Sequence, residues 1–237
     1  MGFYDPIAPA DGNLGSAYSI QAIKNFQRVF GIPVNGVSNA ATRKKLDEVM
    51  NFYNSIKTAD LAKVARRMSD YIDYDESLEI ANTRRTWTFL RLGMGLDQKQ
   101  AAGVMGNLLR ESGLSPTNVQ NTKVPGPSKL RDTAYNYSTT DDIGYGLMQW
   151  TYSSRKAGLI IMANTMGSSL SDLNVQFAYM KLEMERDNAE PWNRIKASKS
   201  IDDVTRIFLK DIERPSDDDL DPRLTNANIV YNALMSY

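Results

Sequence analysis

Apolar residues recur along this chain at three- and four-residue steps, and no long stretch alternates apolar with polar residues as a half-buried strand must. That spacing predicts a mainly α fold. Ile20, Ile23, Phe26, Val29 and Phe30 outline one helix closed by Gly31, and Ser38 or Asn39 can cap a second that runs towards Asn51. Thr58 can cap a third through Leu61, Val64, Ala65, Met68 and Ile72. Another carries Trp87, Leu90 and Leu92 and ends near Gly93 and Gly95. Later patterns run from Asp172 to Arg186, from Ile201 to Ile212 and from Asn226 to Met235, with a long polar loop at 114–143. Trp87 and Trp192 fall on helical stripes and belong to the core.

The chain has no cysteine and no histidine, which removes disulfides, thiolate metal sites, Cys/His amidases, serine triads and zinc peptidases. Acid–base chemistry near neutral pH then falls to carboxyl groups with displaced pKa values. Lysine plus arginine equals aspartate plus glutamate at 28 each, so no global field attracts nucleic acid or another anionic polymer. There is no phosphate-cradling glycine loop and no basic stripe interleaved with aromatics, which argues against nucleotide and nucleic-acid functions. Asp217, Asp218, Asp219 and Asp221 lack the glycine and distal glutamate of a calcium loop, so no metal or cofactor is expected. No window is long and apolar enough to span a membrane, and the first residues lack a basic stretch followed by an apolar run. The expectation is a protein made in a cytoplasm without a secretory signal, or one whose termini have been trimmed.

Asp97 and Gln100 have capping-box spacing and open a helix whose buried stripe is Ala101, Val104, Met105 and Leu108, with Gly113 as its end. Glu111 follows Val104 by seven residues, almost two turns, and so shares the apolar face. It also lies near the negative end of the helix. Both placements predict a raised pKa and hence a general acid. Further on, Gly144-Tyr145-Gly146-Leu147-Met148-Gln149-Trp150 forms a turn in which the glycines allow close backbone approach to a ligand. Tyr145, Trp150, Tyr135 and Tyr137 supply flat faces suited to sugar rings, and Asn107 and Gln149 supply amides. Asp141 or Asp142 can hold an attacking water from the far side, while Asp132 is more remote.

The pairing of Glu111-Ser112 with Gly146-Leu147-Met148-Gln149 resembles goose-type lysozymes and soluble lytic transglycosylases. The flanks, Ala102 to Asn107 before and Trp150-Thr151 with Arg155 after, look most like the lysozyme-like domain of phage lysins and phage tail lysins. Phe208-Leu209-Lys210, Glu213-Arg214-Pro215 and Arg223 with Asn226-Ala227-Asn228 extend the resemblance over 80–237. It implies a lysozyme-like fold, Glu111 as the acid, and cleavage of the β-1,4 bond between N-acetylmuramic acid and N-acetylglucosamine in bacterial peptidoglycan. Related enzymes divide between attack by water and attack by the substrate's own hydroxyl, which gives a 1,6-anhydro sugar. A non-catalytic wall-binding virion protein is the rival from another class. Ala22 to Gln27, Pro33 to Val37 and Ala41-Thr42 resemble the latter half of a small peptidoglycan-binding repeat. The expected organisation is a wall-binding element at 1–57, a connecting helix at 58–79 and the lysozyme-like domain at 80–237.

Overall fold

The computed structural model describes residues 1–3, 13–69, 74–120, 135–215 and 219–237. The architecture is mainly α. The helices are α1 (Ala17–Val29), α2 (Ala40–Ser55), α3 (Thr58–Ala65), α4 (Glu76–Thr88), α5 (Gln98–Ser112), α6 (Ser153–Met166), α7 (Leu173–Arg186), α8 (Ala189–Ala197), α9 (Ile201–Ile207) and α10 (Asp221–Leu234). Among the described residues there is no strand, only isolated bridges from Tyr145 to Val119 and to Trp150.

Helix α5 is the central rod. Its capping box forms as the spacing predicts: Gln100 N donates to Asp97 Oδ1 at 3.0 Å and Asp97 N to Gln100 Oε1 at 2.9 Å. Gly113 closes it in the left-handed conformation, φ 60°. The expected stripe is wider than predicted, since nearly the whole helix is buried. Two glycines make this possible. A Cβ on Gly103 would stand 2.6 Å from Val204 of α9, and one on Gly106 would stand 2.6 Å from the Arg223 carbonyl of α10. Helices α9 and α10 therefore approach the α5 backbone more closely than any side chain would allow.

The N-terminal helices share the same apolar core. Phe26 and Val29 of α1 are buried, Asn25 Nδ2 donates to the Met166 carbonyl at the end of α6 at 2.9 Å, and α1 also packs on α7. The buried Gln27 organises the turn into α2, its Oε1 accepting from the N–H groups of Asn35 and Gly36 at 2.9 Å each. Asn39, one of two candidates, caps α2.

Three boundaries differ from the sequence expectation. Thr58 lies inside the first turn of α3, where its hydroxyl accepts from Arg84, and the helix gives way to a 3₁₀ turn over Arg66–Met68, while Ile72 lies outside the described residues. The helix expected over Ile201 to Ile212 is α9 followed by a π-helical turn, Phe208–Glu213. Helix α10 starts at Asp221, ahead of its apolar pattern, with proline in the first turn where a missing N–H costs nothing.

Candidate active site

Glu111 lies in the last turn of α5, where its neighbour Ser112 points inward. The Ser112 hydroxyl lies 2.9 Å from the Leu147 carbonyl and 3.1 Å from that of Leu108. Asn118 adds a second link: its Nδ2 donates to the Glu111 carbonyl at 3.2 Å, while its own carbonyl accepts from Gly146 N at 2.8 Å and Gln149 Nε2 at 3.2 Å. Gln120 and Gly144 exchange two more bonds at 2.9 and 3.1 Å. From behind, the buried Gln176 of α7 accepts from Leu147 N at 2.8 Å and donates to the Pro116 carbonyl at 2.7 Å. The end of α5 and the Gly144 to Trp150 turn are thus one hydrogen-bonded unit.

The unit holds its backbone in unusual conformations. Among the described residues, Leu114, Gln149 and Arg214 are the non-glycine positions with left-handed φ, at 60°, 47° and 51°. Each costs of order 1–2 kcal/mol relative to ordinary backbone. Leu114 follows the end of α5, Gln149 sits in the turn, and Arg214 follows the π-helical turn that ends at Glu213. Two of these strained positions, Leu114 and Gln149, thus flank or lie within the hydrogen-bonded unit.

A buried ion cluster underlies Glu111. Arg223 Nη2 donates to Glu111 Oε1 at 2.5 Å, Arg223 Nη1 to the Asp219 carbonyl at 2.7 Å, and Arg223 Nε faces Glu213 Oε2 at 3.5 Å. The Glu111 side chain is 19% exposed, whereas those of Arg223 and Glu213 are 4% exposed. Glu111 alone of the three can meet a substrate. Burial, then the neighbouring Glu111 charge, push the Glu213 carboxyl well above the usual range, and Arg223 opposes them. Sequence reasoning noted Glu213 and Arg223 without assigning them a role. The signal was a glutamate closing an apolar helical segment, Phe208 to Glu213.

Several expected sugar contacts lie elsewhere. Asn107 is fully buried, and its Nδ2 donates to the Gly103 and Thr205 carbonyls at 3.0 and 3.2 Å, so it joins α5 to α9 and does not face a ligand. Trp150 is likewise fully buried, its indole N–H donating to Glu183 Oε2 at 2.7 Å. That carboxylate also binds Arg155 through Nε at 2.7 Å and Nη2 at 3.0 Å. Trp150 is a core anchor and offers no stacking face. Tyr145 is 8% exposed and packs edge-on to Tyr137 with ring centroids 5.0 Å apart. Tyr137, partly buried, donates to the Lys156 carbonyl at 2.9 Å. Gln149 remains partly exposed on the turn.

Asp141 is engaged by the fully buried Lys156, whose ammonium also reaches Tyr135 Oη and the Ile143 carbonyl, both at 2.9 Å. Burial works against the Asp141 charge, and hydrogen bonds from Lys156, Tyr135 and Ile143 N outweigh it, so its carboxyl is held below the usual range. Asp142 is exposed. Asp132 falls outside the described residues.

Residues 81–234 match the phage tail lysozyme family. The chain belongs to that family. The match spans α5, the Gly144 to Trp150 turn, Glu213 and Arg223, so every element of the cluster lies inside the lysozyme region. Residues 1–46 match a peptidoglycan binding domain family, which extends the partial resemblance seen from Ala22 to Thr42 back through the N-terminal lead-in. No curated protein matches the chain. The two matches together make this a lysozyme-like, peptidoglycan-degrading protein with peptidoglycan as its ligand.

Proposed function

We propose that the chain is a phage muramidase, carried on a virion or released by a separate holin, that cleaves the β-1,4 bond between N-acetylmuramic acid and N-acetylglucosamine with Glu111 as general acid. The observation that carries this reading is the difference in exposure within the cluster: Glu111 reaches solvent while Arg223 and Glu213 stay buried beneath it. A carboxyl group fixed by a buried guanidinium while its own side chain reaches solvent is placed to meet a bound glycoside. The exposed Asp142 is the candidate for holding the attacking water. Residues 1–57 would add wall affinity.

A lytic transglycosylase keeps the same acid and needs no water-holding carboxylate. The engagement of Asp141 by Lys156 favours it, because that removes one of the two candidate bases. Digestion of purified peptidoglycan followed by mass spectrometry of the new sugar ends separates the readings: reducing ends indicate hydrolysis, 1,6-anhydro ends transglycosylation. Glu111→Gln is expected to fold and to lose activity by about a hundredfold or more, the usual cost of a missing general acid. Wild-type clearance by that variant would remove Glu111 from the reaction.

A further inference from the structure

We propose that Glu213 is a positioning residue that shares one proton with Glu111 across Arg223, keeping it in the resting enzyme and handing it over when substrate covers the site. The inference rests on the reading of Glu111 as the acid.

Two carboxyl groups here face one guanidinium, so both cannot be ionised without leaving a buried negative charge uncompensated. Arg223 divides unequally. Its short contact goes to Glu111 at 2.5 Å, and Glu213 receives only the long one at 3.5 Å. Among the described residues neither Glu213 oxygen has a well-formed hydrogen bond, its weak contacts being with Arg223 and with the Glu111 carboxyl itself. An ionised carboxylate so placed would be poorly compensated, so in the resting state the proton sits on Glu213 and the charge on Glu111. The other charges around Glu213 do not alter this balance. Arg155 of α6 acts on it from a distance while clasped by Glu183 of α7. On the neighbouring elements, Arg194 of α8 pairs with Asp211, and Arg206 of α9 pairs with Asp202.

The backbone is shaped for this. Glu213 ends the π-helical turn after α9, and Arg214 turns the chain away with a left-handed φ of 51°. Such turns re-aim side chains at functional sites. When a glycan excludes water above Glu111, ionisation there becomes costlier. The Glu213 proton then passes to the Glu111 carboxylate, and Arg223 compensates the charge left on Glu213. Glu111 protonates the glycosidic oxygen as that bond breaks, the proton released by the attacking water or sugar hydroxyl returns to Glu111, and it passes back to Glu213 when product leaves and water reaches Glu111 again. Proton count and charge are restored at the end of the cycle.

The test compares Glu213→Gln, Glu213→Asp and Glu111→Gln on purified peptidoglycan fragments across pH, with stability measured in parallel. A carboxyl whose pKa is raised by folding stabilises fully below its unfolded value and loses that contribution as pH rises through the folded value. Glu213→Gln should therefore fold and gain stability relative to wild type as pH rises. Its kcat should fall about tenfold or more with KM changed less than about twofold, and its alkaline limb should move to lower pH, with partial rescue in Glu213→Asp. Wild-type kcat and pH profile in Glu213→Gln, with Glu111→Gln inactive, overturn the proton-sharing role alone. An active Glu111→Gln overturns the acid assignment itself. Should Glu213→Gln fail to fold, carboxyl NMR of the wild type decides: a glutamate titrating well above the usual range and displaced in Glu111→Gln supports sharing, and its absence overturns it.

Discussion

The Ser112 hydroxyl stands 2.9 Å from the Leu147 carbonyl, and through this contact the helix that carries Glu111 grips the turn opposite. Both groups are buried. Removing the hydroxyl leaves the Leu147 carbonyl without that donor, at a cost of about 1–3 kcal/mol. Ser112→Ala is expected to lower the urea midpoint accordingly with little change in m-value, and to reduce kcat more than KM because the turn shifts relative to Glu111. A midpoint equal to wild type would show that the contact contributes nothing.

Gly106→Ala tests the closeness of α5 and α10. Its new methyl would lie 2.6 Å from the Arg223 carbonyl and 2.7 Å from Ala227, contacts that only separation of the helices can relieve. Overpacking of this kind costs about 1–3 kcal/mol. Because Arg223 is the residue displaced, activity should fall further than the thermal midpoint alone explains. Calorimetry beside a turnover assay measures both. A variant as stable and active as wild type would mean that the helix pair slides apart freely.

What the sequence disclosed follows from where local and tertiary forces agree. The α5 capping box and its glycine end are local chemistry, so Asp97, Gln100 and Gly113 were legible residue by residue. Helix α6 was not, since Tyr152 offers no side-chain cap and both faces of the helix carry apolar residues. Helix α8 is short and also lacks a side-chain cap at Asn188. The amphipathic side chains at the site misled for a common reason. Trp150 and Asn107 have polar groups satisfied by Glu183 and by carbonyls distant in sequence, and such partners leave no local trace. Glu213 lies 102 positions from Glu111 along the chain, and only the packing of the π-helical turn against α5 brings them together.

Lys156 anchors the segment before the Gly144 turn. Its fully buried ammonium binds Asp141, Tyr135 and the Ile143 carbonyl and lies 5.0 Å from the Tyr137 ring centre. Replacing it with methionine keeps the apolar stem and leaves the Asp141 charge without its countercharge, held only by Tyr135 and Ile143 N. Full burial of such an orphan costs about 3–5 kcal/mol, and partial exposure of Asp141 reduces this to roughly 2–3 kcal/mol. The double variant Lys156→Met with Asp141→Asn should recover part of that loss. Denaturant unfolding of the single and double variants gives the coupling directly, and strictly additive effects would contradict the pairing.

Buried phenols of this segment and of α7 govern the response to alkali. Burial, first among the causes, raises the phenols of Tyr135, Tyr137, Tyr145 and Tyr179, with Tyr145 pushed up to about 12. In the unfolded chain each titrates near the ordinary value of about 10. Because the folded values are the higher ones, the folded state binds more protons above that pH, and stability falls as pH rises towards the folded values. The protein should therefore remain stable up to about pH 10 and lose structure steeply beyond it. Absorbance at about 295 nm, which reports tyrosinate, should rise in two stages: exposed phenols ionise first, and the buried group appears only as helical circular dichroism collapses. A single smooth titration with the helix signal intact would show that these four rings are open to solvent and that the Tyr135 to Tyr145 wall is not packed as described.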